Sequence, residues 1–396
     1  MKRFAVLSLA ALSIVPLFAQ VANAKAKDEG VKVKVMSRNV FLGADLGPAL
    51  RSTGFESFIE ANGSILREVD LTNFPLRAQG LAGEIAERKP DLVGLQEVAM
   101  WRTGPTAIPP AVSGGPFGAV TVEYDFLQLL LDQLSARGLS YSPAVVKEEF
   151  DFEAPADENN VDNDAPPASG FNSDPATNDE SAGSLDDAEL NGRLTMRDVI
   201  LVNNESKVKA KLKNPQVGTF SSLYTPTVSG IPIVVTRGWT AGDVTVKTGE
   251  GNQQLKRKFR FVNSHFEAFD DETQRPSIRA QQAAELVAGP ANAGKVILLG
   301  DFNSNVPGVQ PGDEQAFQTL LDAGFKRKVT SDPLSCCVSD LFNAPPSEFD
   351  HQVDHILSNK PNKKVKLLKS SVSGLERVNG IYNSDHAGVF SKLLLK

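Results

Sequence analysis

Asp301 and Asn303 follow the apolar run Val296-Ile297-Leu298-Leu299, with Gly300 between them. The run is too short for an ordinary helix and reads as a buried strand. Glycine then allows the backbone to turn sharply. The two polar side chains fall at the exit of that strand, where ligand-binding groups gather in layered α/β proteins. A carboxylate and an amide two residues apart suit a phosphate, a water or a metal ion. Ordinary turns use the same residues, so the chemistry depends on what the rest of the chain brings to them.

Asn39, Glu97, His265, Asp354, Asp385 and His386 also stand at or near the ends of predicted strands. Glu97, Asp301, Asp354 and Asp385 are carboxylates. Packed together without a counter-charge, they would raise one another's pKa. A hard divalent cation resolves that conflict. Mg2+ prefers oxygen ligands and keeps waters that substrate oxygens can replace; Mn2+ and Ca2+ are the alternatives. Glu97, with Asn39 close by, is the best pair for it.

Hydrolysis of a phosphate ester has three needs. The attacking water must lose a proton, the phosphoryl charge must be stabilised, and the leaving oxygen needs a metal or an acid. His386 suits the first, since an imidazole titrates at about 6.5. Asp354 suits the task of holding His386 in one tautomer. Asp301 and Asn303 suit orientation of water and phosphate, and His265 donation to a non-bridging or leaving oxygen. Singly, each has a plainer reading: Asn39 and Asp385 as turn residues, Glu97 as an ion-pair or capping group, Asp354 as a strand carboxylate, His265 as a structural histidine. Their joint occurrence carries the chemistry. His351 and His355 are given no catalytic role.

These residues need a frame. Val31, Val33 and Val35 alternate with Lys32 and Lys34, which predicts a strand leading to Asn39. Helical spacing spans Phe55 to Leu66 and Leu76 to Arg88. Pro90-Asp91 ends the second helix, and Leu92 to Val98 reads as another buried strand. Residues 102–118 read as a loop, and Tyr124 to Arg137 as a helix stopped by Gly138. Residues 148–191 carry many Asp and Glu and no Lys or Arg, which predicts a flexible acidic surface insertion. Their spacing does not match an EF-hand loop. Val199 to Val202 resumes the strands, and 207–263 reads as antiparallel strands ending near His265. Helices are expected over Arg279 to Val287 and Ala316 to Ala323, and strands over Val353 to Leu357 and after His386. No internal repeat is visible.

The chain has 396 residues, a net charge of −7 and a pI near 5.3, so no general polyanion-binding surface is implied. Lys2 and Arg3 precede an apolar run to Phe18, and Ala22-Asn23-Ala24 fits a small-residue cleavage site. This predicts a signal peptide over 1–24 and a secreted or periplasmic protein of residues 25–396. The apolar run is short for a membrane span, and no later segment is long and apolar enough to cross a bilayer. Removing Lys2 and Arg3 takes the charge from −7 to −9. The only cysteines, Cys336 and Cys337, are adjacent, so a disulfide scaffold is not expected. A bond between them would be strained, and tetrahedral metal sites use separated ligands.

The chain resembles the endonuclease/exonuclease/phosphatase superfamily, which includes DNase I-like nucleases, abasic-site endonucleases, neutral sphingomyelinases and inositol polyphosphate 5-phosphatases. The matching pieces are SRNVF with Asn39, PDLVGLQEV with Glu97, FRFVNSHFEAF with His265, ILLGDFNS with Asp301 and Asn303, VDHILS with Asp354, and SDHAGVF with Asp385 and His386. The resemblance implies a DNase I-like four-layer α/β/β/α sandwich with the site where the sheet ends converge. It implies a Mg2+ site of Glu97 with Asn39 and Asp385, a positioning pair Asp301 and Asn303, an Asp354–His386 dyad, and a phosphate-contacting His265. Arg197-Asp198 resembles the polar position that supports this histidine in some members.

The leading expectation is therefore a secreted, Mg2+-dependent phosphodiesterase, with water attacking phosphorus in line. The substrate leans toward nucleic acid or another soluble phosphodiester, tracked by the Lys207–Lys213 and Lys256–Arg260 clusters. The alternative is a sphingomyelinase-like enzyme acting on a phospholipid head group, with the apolar stretch 223–239 as its membrane hairpin. An internal strand pair is the plainer reading of that stretch. A non-catalytic binding protein on the same fold and an acidic Ca2+-buffering protein are the readings from other classes. No obligate protein partner is implied.

Overall fold

The computed structural model describes residues 30–158, 188–251, 254–270, 274–308, 312–330, 334–361 and 363–396. The predicted leader 1–24 and most of the acidic segment lie outside the described residues. In chain order the strands are β1 Val31–Asn39, β2 Leu92–Gln96, β3 Met100–Pro105, β4 Thr121–Asp125, β5 Tyr141–Ala156, β6 Leu190–Asn203, β7 Lys211–Thr219, β8 Thr227–Val228, β9 Ile231–Pro232, β10 Gly238–Thr248, β11 Leu255–His265, β12 Val296–Asp301, β13 Lys326–Arg327, β14 Asp354–Ser358, β15 Val365–Ser373 and β16 Gly388–Leu395. The longer helices are α1 Phe55–Leu71, α2 Phe74–Arg88, α3 Phe126–Ala136, α4 Ile278–Ala288 and α5 Gln315–Asp322.

Two mixed sheets pack face to face. One runs β15-β16-β1-β2-β6-β3-β4, with β5 also paired to β6; the other runs β13-β14-β12-β11-β10-β7. Strand periodicity explains the layering. Val31, Val33 and Val35 of β1 point between the sheets and meet Phe261, Ile297 and Leu299. Met36, one residue out of phase, points to the opposite face among side chains of α1, α2 and α3. In β12 the phase is equally clean. Ile297 and Leu299 lie between the sheets, while Val296 and Leu298 pack with Phe317 and Leu320 of α5. Helices therefore flank both sheets, giving the expected α/β/β/α sandwich. A strand covered on both faces needs the continuous apolar run seen before Asp301.

Three segments differ from the sequence expectation or refine it. Residues 148–156, placed by composition in a flexible insertion, belong to β5, which pairs antiparallel with β6. Glu153 is buried because its carboxylate accepts the Gly118 and Ala119 N–H groups, both at 2.9 Å, and the Asn191 amide at 2.7 Å. Composition does not reveal that an acidic side chain has such partners. Residues 102–105, expected as loop, lie in β3, which pairs with β4 and β6. The 223–239 stretch contains the small hairpin β8–β9, turned at Ser229-Gly230, whose Val228 and Ile233 sink into the core beside α1. Among the described residues, no helix is long and apolar enough to cross a membrane.

Candidate active site

The site forms where strand ends of the two sheets meet. β1 and β2 run parallel, with Asn39 opposite Gln96, so Asn39 and Glu97 leave their sheet side by side. β11 and β12 also run parallel, with His265 opposite Asp301, and antiparallel β14 starts with Asp354 opposite Asp301. A buried amide pair holds the sheets together just below. Gln96 Nε2 donates to Asn263 Oδ1 at 2.5 Å, and Asn263 Nδ2 donates to the Leu95 carbonyl at 3.1 Å. Gly94 is needed there, since a Cβ would strike Leu299 and Asn263.

Asn39 links the carboxylates. Its Nδ2 donates to Glu97 Oε1 at 2.9 Å and Asp301 Oδ2 at 3.0 Å, while its Oδ1 accepts the Phe41 N–H at 2.9 Å. Glu97 has a left-handed backbone, φ 58°, and its second oxygen accepts the Leu42 N–H at 2.8 Å. Such a conformation is costly for glutamate and persists only where its surroundings enforce it. Arg197 supplies part of that enforcement. Its guanidinium donates to the Val98 and Ala99 carbonyls at 2.9 and 3.1 Å and pairs with Asp125 at 2.6 Å. Arg197 thus supports the loop after Glu97.

His386 donates from Nδ1 to Asp354 Oδ2 at 2.9 Å, which leaves Nε2 facing the site. Asp301 Oδ2 lies 3.5 Å from that nitrogen. Burial pulls the His386 pKa down, but Asp354, Asp301 and Asp385 together hold it well above its ordinary value. Burial pushes Asp301 up to about 7, against the pull of His386. The Asp354–His386–Asp301 chain is thus built to hold and pass a proton. The Ser384 hydroxyl donates to the Asn39 carbonyl at 2.9 Å, and Arg38 donates to the His386 carbonyl while pairing with Glu84 at 2.9 Å. These contacts bind the histidine loop to β1 and α2.

His265 is fixed differently. Arg237 Nη1 lies 3.0 Å from its Nδ1. Arginine has no acceptor, so Nδ1 accepts and Nε2 carries the proton. Burial first, then Arg237 and His386, hold the ring well below its ordinary pKa, so it stays neutral. Asn303 donates from Nδ2 to the Phe266 carbonyl at 3.1 Å, and the same nitrogen lies 3.1 Å from His265 Nε2. Two donors side by side ask for one shared acceptor, and a phosphoryl oxygen meets that need. The Asn303 backbone, φ 46°, is held by its N–H to Asp301 Oδ1 at 2.9 Å.

Arg237 was not among the residues singled out by sequence, although it is the lone charge in the 223–239 stretch. Asp198 is fully buried, and neither carboxylate oxygen has a hydrogen-bond partner among the described residues. Burial and then Glu149 raise its pKa well up, while Arg237 opposes the rise. The guanidinium opposing that rise is the one that contacts His265.

Oxygen donors at the expected cation position fit a hard ion. Asp385 is pushed up to about 6 by burial; His386 opposes the rise and Glu97 adds to it. Neighbouring carboxylates whose charges conflict in this way suit a divalent cation. Asp301, Asp354 and His386 also bring ligand atoms within 4.8 Å of one another. That trio is already joined by the His386–Asp354 hydrogen bond.

The Endonuclease/Exonuclease/phosphatase family profile matches residues 61–386. The chain belongs to the endonuclease/exonuclease/phosphatase family. Members of this family are phosphoesterase hydrolases, typically metal-dependent, which agrees with the oxygen-rich donor set. A family protein from Bacteroides thetaiotaomicron is similar in structure with a TM-score of 0.50 at 14% identity, over 93% of this chain and 99% of that one. A family protein from Leptotrichia buccalis gives 0.49 at 15%, over 91% and 99%. A mannosyl-6-phosphatase from Bacteroides thetaiotaomicron gives 0.47 at 15%, over 91% and 99%. At these identities the likeness concerns the fold. No curated protein matches the sequence.

Proposed function

We propose that this family member is a divalent-metal-dependent phosphodiesterase, with Mg2+ as its preferred ion. The observation that carries the reading is the pairing of two opposed devices across Asp301. On one side His386 Nε2 is backed by Asp354; on the other, His265 and Asn303 present adjacent donors. His386, once Nε2 has lost its proton, takes the proton of a water that Asp301 orients. His265 Nε2–H and Asn303 Nδ2 hold a non-bridging oxygen as charge builds on it. Glu97 and Asp385, with Asn39 beside them, hold the cation. When bound, the cation offsets the carboxylates and stabilises charge on phosphoryl or leaving oxygen.

Small soluble phosphodiesters fit better than either polymer or membrane. Lys256 lies at the opposite end of β11 from His265, roughly 30 Å away at about 3.3 Å per residue. Val228, Ile233 and Val235 of the hairpin region are buried and Val234 is half exposed, so the stretch offers little apolar surface to lipid. We also propose that residues 1–24 are removed on export; a mature amino terminus starting elsewhere than Lys25 would oppose this.

The test uses purified protein with bis(p-nitrophenyl) phosphate, plasmid DNA and sphingomyelin vesicles, each with Mg2+ and with EDTA. The small diester is hydrolysed with Mg2+ only, and His386→Ala and Glu97→Ala each abolish turnover. Full activity in both variants, or in EDTA, overturns the proposal.

A further inference from the structure

Cys336 and Cys337 sit on the reactive nitrogen of His386. Their Sγ atoms lie 3.4 and 3.9 Å from Nε2, and a disulfide joins them. Nothing in the hydrolytic reading uses these sulfurs. We propose that Cys336, Cys337 and His386 form a reduction-gated site for a thiophilic divalent cation of the zinc class, and that filling it switches hydrolysis off.

Four observations carry this. First, the three residues bring ligand atoms within 4.8 Å of one another. A tetrahedral zinc with Zn–S near 2.3 Å and Zn–N near 2.0 Å places sulfur and nitrogen about 3.5 Å apart and its two sulfurs about 3.8 Å apart, a spacing the cysteines can reach only once their bond is broken. Second, the histidine is already arranged as a ligand. Its Nδ1–H donates to Asp354 at 2.9 Å, which leaves Nε2 facing the sulfurs, and a carboxylate behind a metal-bound histidine is the usual support for such a ligand. Asp301 Oδ2, 3.5 Å from Nε2, stands ready as a fourth donor.

Third, the backbone that carries the sulfurs is anchored. The Cys336 carbonyl accepts the Asp350 and His351 N–H groups at 2.8 and 2.7 Å, and the Cys336 N–H donates to the His351 carbonyl at 3.2 Å. Ala387 N–H donates to the Ser335 carbonyl at 2.6 Å, and Val338 N–H to the Asp385 carbonyl at 3.1 Å. The cysteine loop is thus bonded to the loop that carries His386. Fourth, Cys336 is buried while Cys337 is exposed, so an ion or a reductant enters over Cys337. Adjacent cysteines alone make a poor metal site; the fold adds the third ligand from a distant segment.

The gate is thiol–disulfide exchange. Two thiols of a small-molecule reductant give up two electrons and become a disulfide. The Cys336–Cys337 bond breaks and each sulfur is left as a thiol. The cation then displaces both thiol protons, and the proton on His386 Nε2 where it is present, to solvent. Soft thiolates select zinc-class ions over Mg2+, so the hard oxygen site keeps its own ion. The inhibitory half rests on His386 being the base; the binding half does not.

The experiment compares full-length mature protein, oxidised and after dithiothreitol reduction with the reductant removed under argon. Each form is titrated with Co2+ and Zn2+, and Mg2+-supported hydrolysis is followed as a ratio with and without Zn2+. Reduced protein is expected to take up one Co2+ more than the oxidised form, with a thiolate charge-transfer band absent from the oxidised form. In Cys337→Ser the band weakens and Zn2+ binding falls by about tenfold or more, as loss of a ligand predicts. Zn2+ should cut turnover by about tenfold or more in the reduced wild type only, by blocking the base. A missing thiolate band in reduced wild type overturns the site. A band with unchanged turnover overturns the inhibition. If no form hydrolyses diesters, the phosphodiesterase reading fails while the cobalt spectrum still decides the metal site.

Discussion

At the residue scale, what a side chain can do is set by the atom behind it. His265 and His386 face the same centre with opposite characters. His386 has a carboxylate on its Nδ1 and a raised proton affinity. His265 has a guanidinium there and stays neutral. Arg237 is therefore a positioning residue. In Arg237→Met the tautomer lock is gone, and kcat should fall by about ten- to a hundredfold, the usual cost of losing such a supporting partner. Arg237→Lys should recover part of it, and 15N NMR of the imidazole should show a mixture of tautomers in the methionine variant alone. An unchanged rate in Arg237→Met counts against the role. A second prediction concerns Glu149, pushed up to about 7 by burial, with Lys147 and Arg237 opposing. Its folded pKa exceeds its ordinary 4.5, so the native state binds the extra proton. Stability is then fully present below about 4.5 and is lost as pH rises through about 7. Glu149→Gln should flatten that decline, with its melting temperature gaining on wild type between pH 5 and pH 8. A difference independent of pH refutes this.

At the element scale, strand ends aim the chemistry. Gly300 has φ 151°, and a Cβ there would strike the Ser264 carbonyl of the neighbouring strand β11. Gly300→Ala should cost about 3 kcal/mol by overpacking and backbone strain, read as a lower urea midpoint. Activity should fall further than stability, because His265 and Asp301 share that pair of strands. Stability within about 0.5 kcal/mol of wild type would show that the strand pair yields more easily than a packed interior does. The cysteine loop makes the same point about aim. It has no chemistry in sequence, yet backbone hydrogen bonds from Ala387 to Ser335 and from Val338 to Asp385 bring its sulfurs to His386.

At the scale of the whole molecule, the site is a seam. Asn39, Glu97, Asp385 and His386 come from one sheet; His265, Asp301, Asn303 and Asp354 come from the other. The Asn39–Asp301 and His386–Asp354 hydrogen bonds both cross between them. A cation at the seam should therefore stabilise the fold as a whole. At a hundred times its dissociation constant, an ion specific for the native state adds about 2.7 kcal/mol. Mg2+ should raise the melting temperature of wild type over an EDTA control, and Glu97→Ala should remove most of that rise. An equal rise in the variant would move the cation elsewhere.

The sequence alone determined the buried strands and the polar residues at their ends, and its resemblance to a family implied the layered arrangement of those strands. Strand periodicity records which face is buried, and glycine beside Asp-X-Asn records a turn that few other residues allow. These are local signals, legible one segment at a time. What the tertiary structure decided is which groups stand behind the reactive ones. Arg237 reaches His265, Arg197 supports the Glu97 loop, and β5 occupies residues that composition assigned to a flexible insertion. Cys336 and Cys337 meet His386 across some fifty positions of chain. Such contacts depend on how two sheets pack, and burial changes both the tautomer and the proton affinity of what it encloses. Neither the packing nor its electrostatic consequence has a spacing that can be read along the chain.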